Sequence, residues 1–423
     1  MHDEATTHYI DMIDQTTLGH RFIKEEFGVT PRVGWQIDPF GHSAVQAYLL
    51  GAELGFDSLF FGRIDYQDRT KRKTEKSLEV IWQGSKSLGS SAQIFAGAFP
   101  ENYEPPSGFY FEVNDASPIV QDDITLFDYN VQERVEDFVA AALSQIRDYR
   151  VDWDLKVNEP AAGNYYPINL GIYVKDNKKE LSVLVDRAVG GSSLVDGQLE
   201  LMLHRRLLRD DGKGVAEALN ETVCIDNQCK GLTIQGKYYY KIDQLGEGAK
   251  WRRSAGQEIY SPFLLAFTEQ DEDNWMSSHV PTFSAIDSSY SLPDNVAILT
   301  LQELTNKEVL LRLAHLYEIG EDKELSVMSQ VELKKLFQSK QIGKVVEMSL
   351  SGNQERSEME KRRLVWKAEG WGGESKLTRG GAVDPGELLV ELAPMEIRTF
   401  VIHFDDMFIQ DVGGGSTMLK SCL

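Results

Sequence analysis

The chain has 423 residues, of which 42% are hydrophobic and 10% aromatic, so a wholly disordered chain is excluded. At about 100–200 residues per domain, this length predicts two to four domains, and two is the working number. The 44 basic and 66 acidic residues give a net charge of −22, which disfavours nucleic acid and membrane surfaces as partners and favours a neutral or cationic substrate. No apolar run approaches the about 20 residues of a membrane span, and residues 1–4 lack the cationic and apolar parts of a signal peptide.

The N-terminal part predicts alternating helices and strands. Apolar residues recur at near-helical spacing over residues 3–27, and Gly28 is a natural residue to end that helix. A short buried strand is expected over residues 32–37. Ser43 and Gln46 then have the spacing of a capping box, which predicts the start of the next helix.

A second apolar strand is expected over residues 58–64. Strand, helix and strand so close together form a βαβ unit, which implies parallel pairing and a right-handed crossover. Residues 79–83 and 92–99 are expected to add further strands. The N-terminal part is therefore predicted to be an α/β domain.

The C-terminal part predicts strands, because apolar and polar residues alternate there. Strands are expected over residues 168–174 and 181–185, and the clearest alternation spans residues 198–204. A hairpin is expected from residues 296–304 and 308–317. The last predicted strand pair joins the two segments 387–392 and 397–404, so this part is expected to be an all-β sandwich.

The change near residue 145, from alternating helices and strands to alternating apolar and polar residues, predicts the domain boundary. A helix expected over residues 138–145 runs into the next segment without the Pro, Gly or Ser linker that usually separates domains. The predicted organisation is an α/β domain over residues 1–145, β-sandwich domains over residues 146–410, and a glycine-containing flexible tail over residues 411–423.

Asp38 and Arg63 are candidate site residues, because ligands bind at the C-terminal ends of parallel strands. Asp38 follows the first strand, directly before Pro39, and Arg63 ends the next strand on the same side. One interpretation is structural: Asp38 caps the turn and the two side chains form an ion pair. The other is functional: the anion and the cation bind sugar hydroxyls.

Cys224 and Cys229 are close enough in sequence to close one small disulfide loop, although three cysteines cannot build a disulfide framework. Upstream, Asn220-Glu221-Thr222 is an acceptor sequon for N-glycosylation. Both features favour a history in the secretory pathway. The alternative is a chance sequon beside two reduced cysteines.

Longer motifs point to a family. Residues 34–43, Gly-Trp-Gln-Ile-Asp-Pro-Phe-Gly-His-Ser, and residues 60–68, Phe-Phe-Gly-Arg-Ile-Asp-Tyr-Gln-Asp, closely resemble the class II α-mannosidases, the glycoside hydrolase family that includes the lysosomal or vacuolar enzyme. Similarity to the same family extends to residues 1–5 and 10–14 and, for its C-terminal β domains, to residues 185–193, 196–200, 204–206 and 210–211. The resemblance covers nearly the whole chain in two blocks and is closest to the plant vacuolar enzyme.

The resemblance implies an incomplete parallel βα barrel followed by a C-terminal antiparallel β-sandwich region. It implies a zinc-dependent retaining exo-hydrolase that removes terminal α-linked mannose from the oligosaccharides of glycoproteins, in a vacuole, a lysosome or the secretory pathway. Asp38 matches the catalytic nucleophile, which is also a zinc ligand, and Arg63 matches a residue lining the mannose pocket. Tyr103 and Glu104 match a substrate-contacting stretch only loosely.

The chain also departs from the family. The His-Thr-His-Asp-Asp segment with two zinc ligands, the segment with the acid/base Asp and the later His-His-Asp segment have no match, so Asp38 is the only matched zinc ligand. The eight histidines are scattered without metal-ligand spacing, and His42 is expected to support the loop beside Asp38. We expect the end of the barrel and the region after it to be deleted.

A nucleophile without its acid partner and its metal loses most of its rate, so the chain alone is expected to be inactive. A non-catalytic carbohydrate-binding or interaction module is the alternative, because fold does not fix function. The candidate for its aromatic platform is Trp371, which lies between glycines, although packing is the commoner role of such a residue. A third interpretation is a misjoined gene model or splice product without a function of its own.

Overall fold

The computed structural model describes residues 1–405 except for 102, 107, 111–118, 144–164, 205–206, 208, 211, 213–217, 219, 268, 270–278, 280, 283, 285, 306, 338–339 and 367–378. The predicted domain boundary, Trp371 and the predicted tail lie outside the described residues. In the part of the chain that is described, no helix is both long and apolar enough to cross a membrane.

The N-terminal part alternates helices and strands, as predicted. Its elements are α1 (Tyr9–Phe27), β1 (Val33–Gln36), α2 (Ala44–Tyr48) with a π-helical turn (Leu49–Glu53), β2 (Ser58–Phe61), α3 (Tyr66–Glu75), β3 (Glu79–Gln83), a 3₁₀ turn (Gly89–Ala92), β4 (Gln93–Ala98) and α4 (Val131–Leu143). The four strands form one sheet in the order β1-β2-β4-β3. The pairs β1–β2 and β2–β4 are parallel, whereas β3 joins β4 in antiparallel orientation.

Local signals explain the ends of these elements. Gly28 ends α1 in the left-handed conformation, with φ of 66°, as the sequence predicts. The Ser43 hydroxyl caps α2 by accepting from the Val45 amide, but the expected capping box does not form. The Gln46 side chain contacts His2 Nδ1 instead, at 2.9 Å, because a buried partner distant in sequence competes for it.

The described residues of the C-terminal part form antiparallel strands with three helices among them. Its strands are β5 (Tyr166–Ile168), β6 (Gly171–Lys175), β7 (Lys179–Val185), β8 (Val189–Ser192), β9 (Glu200–Leu201), β10 (Thr222–Ile225), β11 (Gln228–Gly231), β12 (Tyr238–Gln244), β13 (Val296–Thr305), β14 (Glu308–His315), β15 (Ser329–Glu332), β16 (Ile342–Met348), β17 (Leu389–Leu392) and β18 (Ile397–Phe404). The helices are α5 (Gly248–Tyr260), α6 (Leu333–Leu336) and α7 (Arg356–Arg362).

The sheets of this part confirm some predictions and correct others. The hairpin β13–β14 forms as expected, in the sheet β13-β14-β18-β16. The predicted last pair is wrong: β17 pairs with β15, and β18 pairs with β14 and β16. The clearest predicted strand, residues 198–204, is reduced to the two-residue β9. The helices α5 to α7 show that this part is not all-β.

The two parts share a hydrophobic core. Buried residues from the helices and strands of the N-terminal part pack with Ala314, Leu350 and Ile397 from the β region. The Tyr48 hydroxyl donates to the Met395 carbonyl oxygen at 2.7 Å across this contact. The helix α1 and the helix α2 with its π-helical turn therefore pack against the β region, and this contact leaves the carboxyl ends of β1, β2 and β4 to form a site.

Buried ion pairs also cross this contact. Glu53, at the end of the π-helical turn, is 1% exposed and lies 3.3 Å from Arg356 Nη1 and 3.4 Å from Arg379 Nη1. Arg379 Nη1 is also 3.3 Å from Glu396 Oε1. We call these four side chains the junction cluster. Three of them, Arg356, Arg379 and Glu396, line one side of a cavity of about 610 Å³. Its walls carry further charged groups that pair with one another, such as Glu347 with Arg398.

Candidate active site

Three neighbouring parallel strands end at the candidate site. Asp38 follows the end of β1, Arg63 follows the end of β2, and Tyr103 follows the end of β4. Because parallel strands end at the same edge of a sheet, residues distant in sequence meet there. The position of Asp38 and Arg63 at adjacent strand ends is the one predicted from the sequence.

The turn after Asp38 depends on a glycine. Gly41 has φ of 132°, which L-residues with a side chain rarely adopt. A Cβ atom built on Gly41 would lie 3.0 Å from Cβ of Ala5. The loop that carries Asp38 is therefore packed against the segment that precedes α1.

The Asp38 carboxylate contacts a guanidinium and a phenol. Arg63 Nε and the Tyr103 hydroxyl both donate to Asp38 Oδ1, and Arg63 Nε also lies 2.6 Å from the Tyr103 hydroxyl oxygen. The guanidinium stacks over the Phe40 ring, with Cζ 4.8 Å from the ring centroid. The side chains of Asp38 and Arg63 are 37% and 39% exposed, so the site is open to solvent.

These contacts favour the ionised form of Asp38. The hydrogen bond from Tyr103 and then the neighbouring Arg63 lower the pKa of the Asp38 carboxyl below its ordinary value. Slight burial opposes this shift. The same neighbours act in the opposite direction on the phenol: burial and the hydrogen bond to Asp38 raise the pKa of Tyr103. An anion, a cation and a neutral hydroxyl thus lie together at neutral pH.

Buried side chains make hydrogen bonds that hold the loop carrying Asp38. The Glu4 carboxylate accepts from the Ser43 amide and from Gln36 Nε2, each at 2.8 Å. His42 Nε2 lies 2.7 Å from the Arg63 carbonyl oxygen, which agrees with the expected role of His42 in supporting the loop. Glu4 is not among the predicted site residues, because nothing in its local sequence signals burial.

The described residues do not fit zinc. No group of three or more His, Cys, Asp and Glu side chains suited to a metal occurs among them. Asp38 is engaged by Arg63 and Tyr103, and the nearby His42 uses Nε2 on a backbone carbonyl. Structural and catalytic zinc sites need at least three protein ligands, so these residues alone would not hold the ion.

The predicted modification sites lie on a separate hairpin. Asn220 is exposed and lies two residues before the start of β10, which pairs with β11. Cys224 and Cys229 are opposite each other in this pair, with their sulfur atoms within bonding distance. The turn residues Asp226 and Asn227 both have positive φ, as tight hairpin turns require.

The chain matches three profiles of one family along its length. Residues 1–153 match the N-terminal domain of glycosyl hydrolases family 38, residues 127–213 its C-terminal domain, and residues 295–400 its C-terminal beta sandwich domain.

Similar proteins named alpha-mannosidases agree with these family matches. An alpha-mannosidase of Arabidopsis thaliana is 34% identical over 882 aligned positions, which cover 98% of this chain and 86% of that protein. An alpha-mannosidase of Canavalia ensiformis is 29% identical, with 96% and 89% covered. The lysosomal alpha-mannosidase of Homo sapiens is 39% identical over 263 residues, which cover 61% of this chain and 25% of that protein. The chain therefore belongs to glycosyl hydrolase family 38, the class II α-mannosidases.

Proposed function

We propose that the Asp38 site recognises a terminal α-linked mannose and that Asp38 is the carboxylate that attacks its anomeric carbon in the family reaction. A retaining glycosidase needs an ionised carboxylate as its nucleophile, and the contacts that lower the pKa of Asp38 supply this state. Arg63 and Tyr103 would donate to sugar hydroxyls in place of their present contacts. The observation that carries the proposal is the meeting of these three side chains at adjacent strand ends.

We further propose that the chain by itself does not complete the reaction. A retaining mechanism uses a second, protonated carboxyl group about 5 Å from the nucleophile, and the side chains in contact with Asp38 are a guanidinium and a phenol. Zinc, when present in the family, polarises sugar oxygens, but the described residues do not fit it. Binding without turnover is the expected behaviour.

An internal deletion would explain this loss. The span aligned with the Arabidopsis relative has 882 positions, so it exceeds the 423 residues of this chain by 882 − 423 = 459. The N-terminal and C-terminal profile matches overlap between residues 127 and 153, around the proposed boundary at residues 145–146. The proposed architecture is an incomplete βα barrel joined to the C-terminal β region.

The secretory features belong to the same proposal. A lysosomal or vacuolar location is inferred from relatives with lysosomal names, and the exposed sequon at Asn220 fits an N-glycan. Expression through a secretory pathway should give a glycan that Asn220→Gln and Thr222→Ala both remove. Mass spectrometry without reduction should find the peptides of Cys224 and Cys229 joined.

The binding proposal is tested with methyl α-mannoside and an aryl α-mannoside. The purified chain should bind the first, and Asp38→Asn should abolish binding, whereas Asp196→Asn at an exposed residue should leave it unchanged. The aryl mannoside should not be hydrolysed, with or without added zinc, and metal analysis should find no bound zinc. Turnover that disappears in Asp38→Asn would overturn the inactivity; binding that survives in Asp38→Asn would overturn the site.

A carbohydrate-binding module is the second candidate. It would bind mannose through the β region, so its binding would survive Asp38→Asn. The same titration therefore separates the two functions.

A further inference from the structure

Glu4 is a buried carboxylate beside the candidate site that the proposed mechanism does not use. It is 2% exposed, although charged side chains are rarely buried without a reason. Burial raises the pKa of Glu4, while hydrogen bonds from the Ser43 amide and from Gln36 oppose this shift.

The two oxygens of Glu4 hold the two ends of the loop that carries Asp38. Oε1 accepts from Gln36 Nε2, two residues before Asp38, and Oε2 accepts from the Ser43 amide at the start of α2, each at 2.8 Å. Charged acceptors make stronger hydrogen bonds than neutral ones. One carboxylate therefore closes the loop between residues 36 and 43.

The Gln36 side chain is held by hydrogen bonds at its end of the loop. Its Oε1 accepts from the His2 amide at 2.7 Å, and its Nε2 donates to the His2 carbonyl oxygen at 2.8 Å as well as to Glu4. Since Gln36 is also the last residue of β1, the sheet fixes its backbone. Glu4 thus connects Gln36, whose position the sheet fixes, to the Ser43 amide at the far end of the loop.

His42 lies between Glu4 and the other half of the ion pair. His42 Nδ1 is 3.8 Å from Glu4 Oε1, and His42 Nε2 is 2.7 Å from the carbonyl oxygen of Arg63. A carbonyl oxygen only accepts, so Nε2 carries the proton. The His42 ring is also held by Phe61, with ring centroids 4.8 Å apart.

We propose that Glu4 is a positioning residue that sets the placement of Asp38 relative to Arg63. It acts through the closed loop on the side of Asp38, while His42 contacts the Arg63 backbone on the other side. The inference rests on the proposed function, because that function gives the placement of Asp38 its importance. The placement of Asp38 relative to Arg63 can nevertheless be measured without a sugar. Glu4 is separate from the groups that would touch the substrate.

The experiment follows the Arg63 Nε–H group by NMR in the full chain labelled with ¹⁵N-arginine. The resonance is assigned from its loss in Arg63→Lys, and Asp38→Asn gives the exchange rate of the broken pair. Glu4→Gln offers only one acceptor oxygen, and its amide group would face a donor, so one end of the loop is released. The exchange of Arg63 Nε–H should accelerate about tenfold, which corresponds to about 1.4 kcal/mol. The thermal midpoint should stay close to that of the matched control.

Glu180→Gln is that control, because Glu180 is 4% exposed and pairs with Arg252 in the β region. It should leave the Arg63 resonance and its exchange unchanged. Glu4→Asp keeps the charge but has a shorter reach, so it should give an intermediate rate, and it replaces Glu4→Gln if that variant does not fold.

Three results would overturn the inference. They are exchange in the Glu4 variants within about twofold of the wild type, equal acceleration in Glu180→Gln, and wild-type exchange already as fast as in Asp38→Asn. Failure of the proposed function looks different, since methyl α-mannoside would then leave the wild-type Arg63 resonance unchanged while the response to Glu4→Gln remained.

Discussion

Two groups of charged residues in this chain both pair carboxylates with guanidinium groups, but one group is exposed and the other is buried. Asp38 and Arg63 pair at the edge of the sheet, where both are more than one-third exposed. Glu53, by contrast, is 1% exposed and lies between two arginines in the junction cluster. The first pair is open to water and to a ligand, whereas the second is enclosed by the packed halves of the molecule.

The difference assigns different tasks to the two groups. An exposed ion pair adds little to stability, because water screens it, so its partners can be exchanged for sugar hydroxyls at low cost. A buried pair has already lost its water, so removing one partner leaves an unpaired charge. The junction cluster is therefore expected to govern folding and the Asp38 site to govern binding.

The largest expected effect is at the junction cluster. Glu53→Ala should lower the free energy of unfolding by about 3–5 kcal/mol, because it removes the buried carboxylate that Arg356 and Arg379 share and leaves Glu396 as the one carboxylate of the junction cluster. Urea unfolding followed by circular dichroism measures the change. Glu358→Ala, which removes an exposed pair with Lys361, should change it by less than about 1 kcal/mol. Equal effects of the two variants would remove the distinction.

The junction cluster should also make stability depend on pH. Burial raises the pKa of Glu396 above its ordinary value of 4.5, despite the nearby Arg379. The folded state then keeps the proton after the unfolded state has lost it. The free energy of unfolding should therefore fall as the pH rises above 4.5, by at most about 1.4 kcal/mol per pH unit from this group. The slope should be smaller in Glu396→Gln and unchanged in the exposed Glu387→Gln.

A single neutral hydrogen bond across the contact should matter less. Tyr48→Phe removes the hydroxyl that donates to the Met395 carbonyl oxygen and leaves that part-buried oxygen without this partner. The expected loss is about 0.5–1.5 kcal/mol in the free energy of unfolding. Tyr240→Phe at a residue that is 77% exposed is the comparison and should have no measurable effect. A larger loss at Tyr240 would contradict the proposed division of tasks.

The smallest effect on stability is expected at the Asp38 site. Asp38→Asn should change the free energy of unfolding by less than about 1 kcal/mol, since the pair with Arg63 is exposed. The same variant should lose methyl α-mannoside binding, as measured by calorimetry. A strongly destabilised Asp38→Asn would mean that the pair is mainly structural, which is the other interpretation of the sequence.

Local signals in the sequence determined part of this result. The apolar strands, the turn at Pro39 and Gly41 and the βαβ spacing place Asp38 and Arg63 at adjacent strand ends, and the structure agrees. The hairpin β13–β14 was also predictable, because its two strands are close in sequence and share one turn. The long motifs around Asp38 and Arg63 identified the family without any structure.

Only the tertiary structure decided which distant residues meet. Glu53 contacts Arg356 across 303 positions, and Glu4 contacts Gln36 across 32, so no periodicity or local motif reveals either partner. The pairing of β17 and β18 was mispredicted for the same reason, since nearness in sequence does not fix the neighbours in a sheet. The sequence by itself determined that Asp38 and Arg63 lie at adjacent strand ends, whereas packing, by burying Glu4 and Glu53, decided which charges hold the molecule together and which remain open to a ligand.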